Sequence, residues 1–379
     1  MTSPLTTKQL AALGQIDAAV DRVLLQRQHP VSGLLPASTA HNIHGNYGDA
    51  WVRDGVYTIQ AVWGLAIAWR REGSRPQRVF ELEQSVLALM RGLLRALMGQ
   101  AAKVERFKQS LKPLDALHAK YNTATGLPVV ADNAWGHLQL DATALFLLQL
   151  AQFSRAGLVV VANRAQVAFV QNLVFYLSRA YRVADYGIWE RGDKGNNGAP
   201  ERNASSIGLV KAALEAAQGL DLYGPEGDGS ALLWVPPDAI VRLRRALEGL
   251  LPRESASKEV DSACLTTVGY PAWAVDRPDL RQRTLEVIRR QLAGSYGYAR
   301  FRRDGHQTVL EDSSRLHYEP DELACFEAIE CQWPLFLAFE LLSACMEERW
   351  EEASAFQQRL TALALPQGSE LLLPELYRV

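Results

Sequence analysis

An all-α fold is predicted by three features of this sequence. Helical periodicity recurs from end to end, nearly all-apolar segments alternate with amphipathic ones, and runs able to form strands are few and short. In chain order the periodicity predicts helices over 7–28, 50–71, 79–100, 138–154, 164–183, 203–219, 237–251, 260–275, 279–293, 321–347 and 350–363. VYTIQAVWGLAIAW at 56–69 and ATALFLLQLA at 142–151 are apolar almost all round, the pattern of helices buried on every side. VRLRRALEGLL at 241–251 instead sets Val241, Leu243, Leu247 and Leu250 among arginines, an amphipathic outer helix. Alternation of the two kinds predicts two concentric helical layers. The strand candidates are Leu158–Ala162 and Ala231–Val235, the latter running into Pro236-Pro237.

The 379 residues read as one domain spanning 1–379, since no Ser/Gly/Pro-rich linker divides them and GPEGDG at 224–229 is too short to do so. Hydrophobic residues make up 48%, enough for a large core, and the mean hydropathy is −0.10. With 40 basic and 42 acidic residues the formal charge is −2, which favours neither nucleic acid nor an anionic membrane and suits a neutral substrate. No run reaches the roughly 18 apolar residues of a spanning helix, and the amphipathic N-terminus is unlike a secretory signal, so the cytoplasm is the expected compartment. Cys264, Cys325, Cys331 and Cys345 have neither C-x-x-C spacing nor nearby histidines; they read as free thiols, with no metal or other cofactor expected. Asn203-Ala-Ser205 matches a glycosylation sequon and reads as chance in that setting.

Chemistry concentrates at loop-to-helix junctions rich in tryptophan, arginine and carboxylates. Flat aromatic faces and forked polar groups bind sugars, and two carboxyl groups cut glycosidic bonds. The first junction is Trp51-Val52-Arg53-Asp54, where Arg53 and Asp54 are candidates to grip sugar hydroxyls and Trp51 to wall them. A first-turn acid is also favourable electrostatically on its own account, and Arg53 could simply pair with a neighbour. The second holds Trp135, His137, Gln139 and Asp141, where Asp141 could equally be a capping acid. The third is Tyr186-Gly187-Ile188-Trp189-Glu190-Arg191. Apolar neighbours there could raise the pKa of Glu190, as a general acid requires, while pairing with Arg191 or Lys194 is the plainer alternative. The polar GDKGNNGAPERN loop that follows is suited to the surface or to a cleft. The fourth, HYEPDELACFEAIECQWPLF, offers Glu319 and, as an alternative, Glu330 as the partner base.

Six segments carry a family resemblance: DAWVRDGVY at 49–57, WGHLQLDAT at 135–143, YGIWERGDK at 186–194, NASS at 203–206, SKEVD at 257–261 and LLPELY at 372–377. In this order they resemble the glucoamylase-like domain of the phosphorylase kinase alpha and beta subunits, itself similar to the glucoamylases of glycoside hydrolase family 15. The resemblance implies an (α/α)6 barrel with its pocket where loops feed the inner helices. It implies that Arg53 and Asp54 bind a terminal glucose, that Trp135 and Gln139 belong to the substrate site, and that Glu190 is the general acid. Arg191 departs from the family's W-E-E pattern. Two functions follow as expectations. One is an exo-acting, inverting α-glucan hydrolase releasing glucose from non-reducing ends, with Glu190 as acid, Glu319 or Glu330 as base, and Trp51, Arg53, Asp54, Trp135, Gln139, Asp141 and Trp189 holding substrate. The other is a non-catalytic regulatory protein of glycogen metabolism that binds an α-glucan or maltooligosaccharide. No protein-kinase signature occurs, so phosphoryl transfer by that chemistry is not expected.

Overall fold

The computed structural model describes residues 5–38, 41–42, 45–190, 194–368 and 370–379. Among these, twelve α-helices dominate: α1 (Thr7–Val23), α2 (Val52–Glu72), α3 (Pro76–Met98), α4 (Ala101–Ser110), α5 (Leu140–Arg155), α6 (Arg164–Leu177), α7 (Ala204–Ala217), α8 (Pro237–Leu250), α9 (Leu265–Val268), α10 (Pro278–Leu292), α11 (Leu335–Met346) and α12 (Trp350–Leu363). Two-residue and three-residue antiparallel ladders are the only named strands described.

Helix starts and stops follow local chemistry. Thr6 and Gln9 form a reciprocal capping box at the start of α1. Proline stands in the first turn of α3, α8 and α10, where its missing N–H costs nothing. Gly73 ends α2 in the left-handed conformation. Burial matches the two expected kinds of helix: residues 141–150 of α5 are all buried, whereas α8 buries only Ala239, Leu243 and Leu247 and leaves Val241 exposed.

The chain forms two compact units. One comprises Met1–His137, Leu145–Tyr176 and Ala216–Val235; the other comprises Leu138–Ala144, Leu177–Glu215 and Pro236–Val379. In the first, α2 packs against both α1 and α3, and Trp69 of α2 donates its indole N–H to the buried Asp17 of α1 (3.0 Å). In the second, α11 packs against α12 and α9, and α9 against α10.

Four segments differ from the sequence-based expectation. Leu158–Ala162 is irregular and Ala231–Val235 contributes only a single bridge, Leu232 to Asp221, because β-branched residues make a strand only where a partner edge exists. The helix expected over 260–275 is reduced to the 3-10 turn Ser262–Cys264 and the four residues of α9, ending at Gly269. The helix expected over 321–347 begins only at Leu335, preceded by a 3-10 turn at Glu322–Phe326; Pro334 sets the start.

Candidate functional site

In the first unit, a short ladder pairs Ala50 and Trp51 with Tyr121 and Lys120 just before α2 begins. Trp51 is the N-cap, with extended backbone (φ −95°, ψ 142°), so its indole stands off the helix. Tyr47 stacks on it at 5.8 Å and Trp135 meets it edge-on at 6.3 Å. Lys120 Nζ lies 4.2 Å from the centre of the indole, held by Asp49 at 3.1 Å. Arg53 and Asp54 follow in the first turn of α2, Arg53 buried. Burial pushes the Asp54 carboxyl up, opposed by the adjacent Arg53 guanidinium.

Behind Trp135 stands His137, edge-to-face at 5.5 Å, and His137 stacks on His118 with ring centres 3.6 Å apart. His137 Nε2 lies 2.9 Å from the Ala131 carbonyl, an acceptor only, so Nε2 carries the proton. His118 Nε2 lies 2.6 Å from Asp132, which Lys103 also contacts at 2.7 Å. Burial pushes both imidazoles down, His137 to about 4. Both rings are therefore neutral near pH 7, which lets them stack face to face.

In the second unit, Gln139 and Asp141 are buried at the start of α5. The Leu140 N–H of that first turn donates to Asp185 (2.9 Å), as does the Ser206 hydroxyl (2.7 Å), while the Asn203 amide donates to its other oxygen (2.8 Å). Burial, reinforced by the Asp141 charge, pushes the Asp185 carboxyl up to about 7. Next comes the 3-10 turn Gly187–Trp189. Gly187 has φ 59°, and a Cβ there would come within 3.1 Å of the Asn203 amide. Glu190 closes the turn at φ 70°, ψ −32°, half-buried, an unfavourable backbone for a non-glycine residue.

Trp189 donates its indole N–H to Asp261 at 2.8 Å. Its ring lies 5.9 Å from Trp333 and 6.0 Å from Phe336. The Arg300 guanidinium covers both indoles, 4.7 Å from Trp189 and 5.3 Å from Trp333, and is gripped by Asp304 through two bonds of 2.5 and 2.8 Å.

The predicted residues thus fall into two groups. Trp51 and Trp135 touch in the first unit, where Arg53 and Asp54 follow Trp51 directly; Gln139, Asp141, Trp189 and Glu190 belong to the second. Glu330 is half-buried and accepts the Arg303 N–H at 2.7 Å. Glu319 is exposed, with His317 at 3.8 Å. Lys194, a suggested partner for Glu190, instead engages Glu311 (3.0 Å) and the Asp312 carbonyl (2.7 Å), while Arg191 lies outside the described residues. Sequence reasoning passed over Lys120, Asp185, Arg300 and Trp333 as site-forming groups. Trp333 carried a signal, an isolated tryptophan beside an apolar helix start; Lys120 in LHAKYN carried none. No group of three His, Cys, Asp or Glu side chains among the described residues is placed to hold a metal ion. Nor is any described helix long and apolar enough to cross a membrane.

Comparison with known proteins places this chain in a family. The profile of Glycosyl hydrolases family 15 matches residues 13–356. The chain is 48% identical over 364 residues to the phosphorylase b kinase regulatory subunit alpha, liver isoform, of Takifugu rubripes, and 48% identical over the same length to the probable alpha subunit of Drosophila melanogaster. In both cases 95% of this chain aligns, and it spans only 29% of the relative. Among solved structures, a glycosidase matches with a TM-score of 0.65 at 17% identity, covering 98% of this chain and 90% of the other. The glucoamylase of Saccharomycopsis fibuligera matches with a TM-score of 0.57 at 14% identity, covering 90% and 74%. The fold is therefore the mostly helical (α/α)6 toroid of glucoamylases. The chain belongs to glycosyl hydrolases family 15, as a glucoamylase-like domain related to the corresponding region of phosphorylase kinase regulatory alpha subunits.

Proposed function

We propose that this protein binds the non-reducing ends of α-glucans as a regulatory domain of glycogen metabolism. The observation that carries the reading is that each unit holds a buried indole N–H, that of Trp135 in the first and that of Trp333 in the second, which finds no acceptor among the described residues. An unsatisfied buried donor costs about 1–3 kcal/mol, so a donor placed beside stacked aromatic walls is well suited to a sugar hydroxyl. In the first unit Trp51 supplies an apolar face for a pyranose ring, with Arg53 and Asp54 as forked polar groups; in the second, taken by itself, Trp189 supplies the face and Gln139 and Asp141 the polar groups. The high identity to kinase regulatory subunits favours control over turnover. A kinase assembly is the matching protein partner, and the cytoplasm the matching compartment.

Hydrolysis is the second reading, favoured by Glu190. Glu190 follows Trp189 directly and holds a positive-φ backbone, an expensive conformation for a non-glycine residue without a task. In that reading Glu190 protonates the leaving oxygen, and Glu319, or Glu330 in its place, activates water with inversion. One experiment separates the two: calorimetry with maltooligosaccharides beside a glucose-release assay, on wild type and Glu190→Gln. Binding without release supports the regulatory reading. Release by wild type alone establishes a hydrolase with Glu190 as its acid, and absence of both removes the glucan site.

A further inference from the structure

The SKEVD segment contributes Lys258 and Asp261 to a buried charged cluster with Glu254. Glu254, Lys258 and Asp261 are 2%, 6% and 0% exposed. Glu254 accepts from the Ser205 N–H (2.9 Å), the Ser205 hydroxyl and the Cys264 thiol (3.1 Å). Asp261 divides its oxygens: one takes the Ala263 N–H at 2.7 Å, capping the Ser262–Cys264 turn, and the other takes the Trp189 indole N–H at 2.8 Å. The Lys258 ammonium lies 3.8 Å from Glu201 and interacts electrostatically with Glu254 and Asp261, a costly buried arrangement of a kind that well-packed apolar side chains often replace without loss of stability. Such a cluster is weak evidence for stability, which points to a purpose in positioning.

That purpose is visible in what Asp261 grips. Its backbone forms a bridge to Phe301, and the next N–H, of Ser262, donates to the Arg300 carbonyl at 2.7 Å. The backbone bridge that fixes Asp261 therefore also anchors Arg300, whose guanidinium lies on Trp189. Glu190, one residue on, holds a left-handed backbone that costs on the order of 1–3 kcal/mol and persists only where surroundings over-determine it. A three-residue 3-10 turn cannot impose that alone. Asn203 holds the turn at Gly187, through Asp185, and Asp261 holds it at Trp189.

We propose that Asp261 is a positioning residue: through the Trp189 indole it sets the Trp189–Glu190 junction in its ligand-ready conformation. The inference rests on the glucan-binding reading, in which Trp189 is a sugar-facing wall. Burial and the neighbouring Glu254 push the Asp261 carboxyl well up, while Lys258 and the two N–H donors oppose them. Lys258 thus belongs to the same device, biasing Asp261 toward the charged form that binds an indole N–H most strongly.

Asp261→Ser separates positioning from helix capping, because serine still caps Ala263 but cannot reach the indole. Tryptophan-labelled protein would be followed by NMR, the Trp189 indole signal being assigned from its loss in Trp189→Phe. Asp261→Ser should move that signal and the Glu190 amide signal, and lower maltooligosaccharide affinity about tenfold, the worth of one hydrogen bond to a charged group. In a Trp189→Phe background the same substitution should cost nothing further in affinity. An unmoved indole signal, or losses that add in the double variant, would overturn the proposal. Asp261→Asn, nearly identical in shape, serves as the second test should the serine variant fail to fold. If wild type binds no maltooligosaccharide, the glucan reading falls, and the indole and Glu190 signals alone decide whether Asp261 positions the turn.

Discussion

The regions around Trp51 and Trp189 solve one problem with opposite buried chemistry. Each presents an indole face with a cation over it and an aspartate gripping the cation: Lys120 and Asp49 in one, Arg300 and Asp304 in the other. Behind these faces they diverge. Trp135 is backed by two stacked neutral imidazoles, whereas the turn carrying Trp189 is backed by Asp185, Glu254 and Asp261, all buried carboxyls. The two backings differ in saturation: His118 Nδ1 and His137 Nδ1 find no hydrogen-bond partner among the described residues, whereas Asp185, Glu254 and Asp261 each accept several donors. Their responses to protons run in opposite directions.

The largest expected effect is at Asp185. Replacing it with alanine leaves the Leu140 N–H, the Ser206 hydroxyl and the Asn203 amide without their shared acceptor in a fully buried site. A loss of about 4 kcal/mol of stability is expected, measured by urea unfolding, at the upper end for a single substitution. A loss below about 1 kcal/mol would mean that the acid network is not what holds the second region together.

Smaller, and of defined sign, is the acid response of the first region. His137 titrates at about 4 when folded, below the usual imidazole value, so the folded state binds fewer protons than the unfolded chain between those values. Stability from this group is present above pH about 6.5 and is lost as pH falls toward 4, by about 3 kcal/mol in full. Asp185 has the reverse sign: its folded value is raised to about 7, so its contribution falls as pH rises from about 4 to 7. His137→Gln should flatten the acid limb of an unfolding-versus-pH curve and leave the limb from Asp185 in place. A limb unchanged by that substitution would remove the imidazole stack from the explanation.

Sequence patterning reached the helices and the aromatic faces more readily than the backing. Residues 142–151 are apolar almost all round because the helix is buried all round, so their pattern is read directly. Arg53, Asp54 and Glu190 are legible as polar groups crowded against tryptophan at helix entries. Asp261 and Lys120 are not, because their meaning lies in partners 72 and 69 positions away in the chain, Trp189 and Trp51. The irregular stretch expected as helix over 321–334 misled for a related reason. Its apolar spacing suits a helix, but Pro320 and Pro334 bound it and Phe326 is buried from a 3-10 turn.

The finest test of the parallel exchanges the two cations. Arg300 spans two indole faces while holding both oxygens of Asp304, a task for a planar fork. Lysine there would keep the charge, lose one of the two bonds and cover one ring at most, so Arg300→Lys should cost about 1–2 kcal/mol in unfolding. Lys120 holds one aspartate and covers one ring, which a guanidinium can also do, so Lys120→Arg should cost less than about 0.5 kcal/mol. Equal costs would show that both sites ask only for a positive charge. The predicted asymmetry would mean that the second region is shaped by the fork itself, which ties the orientation of Trp333 to that of Trp189 through one side chain.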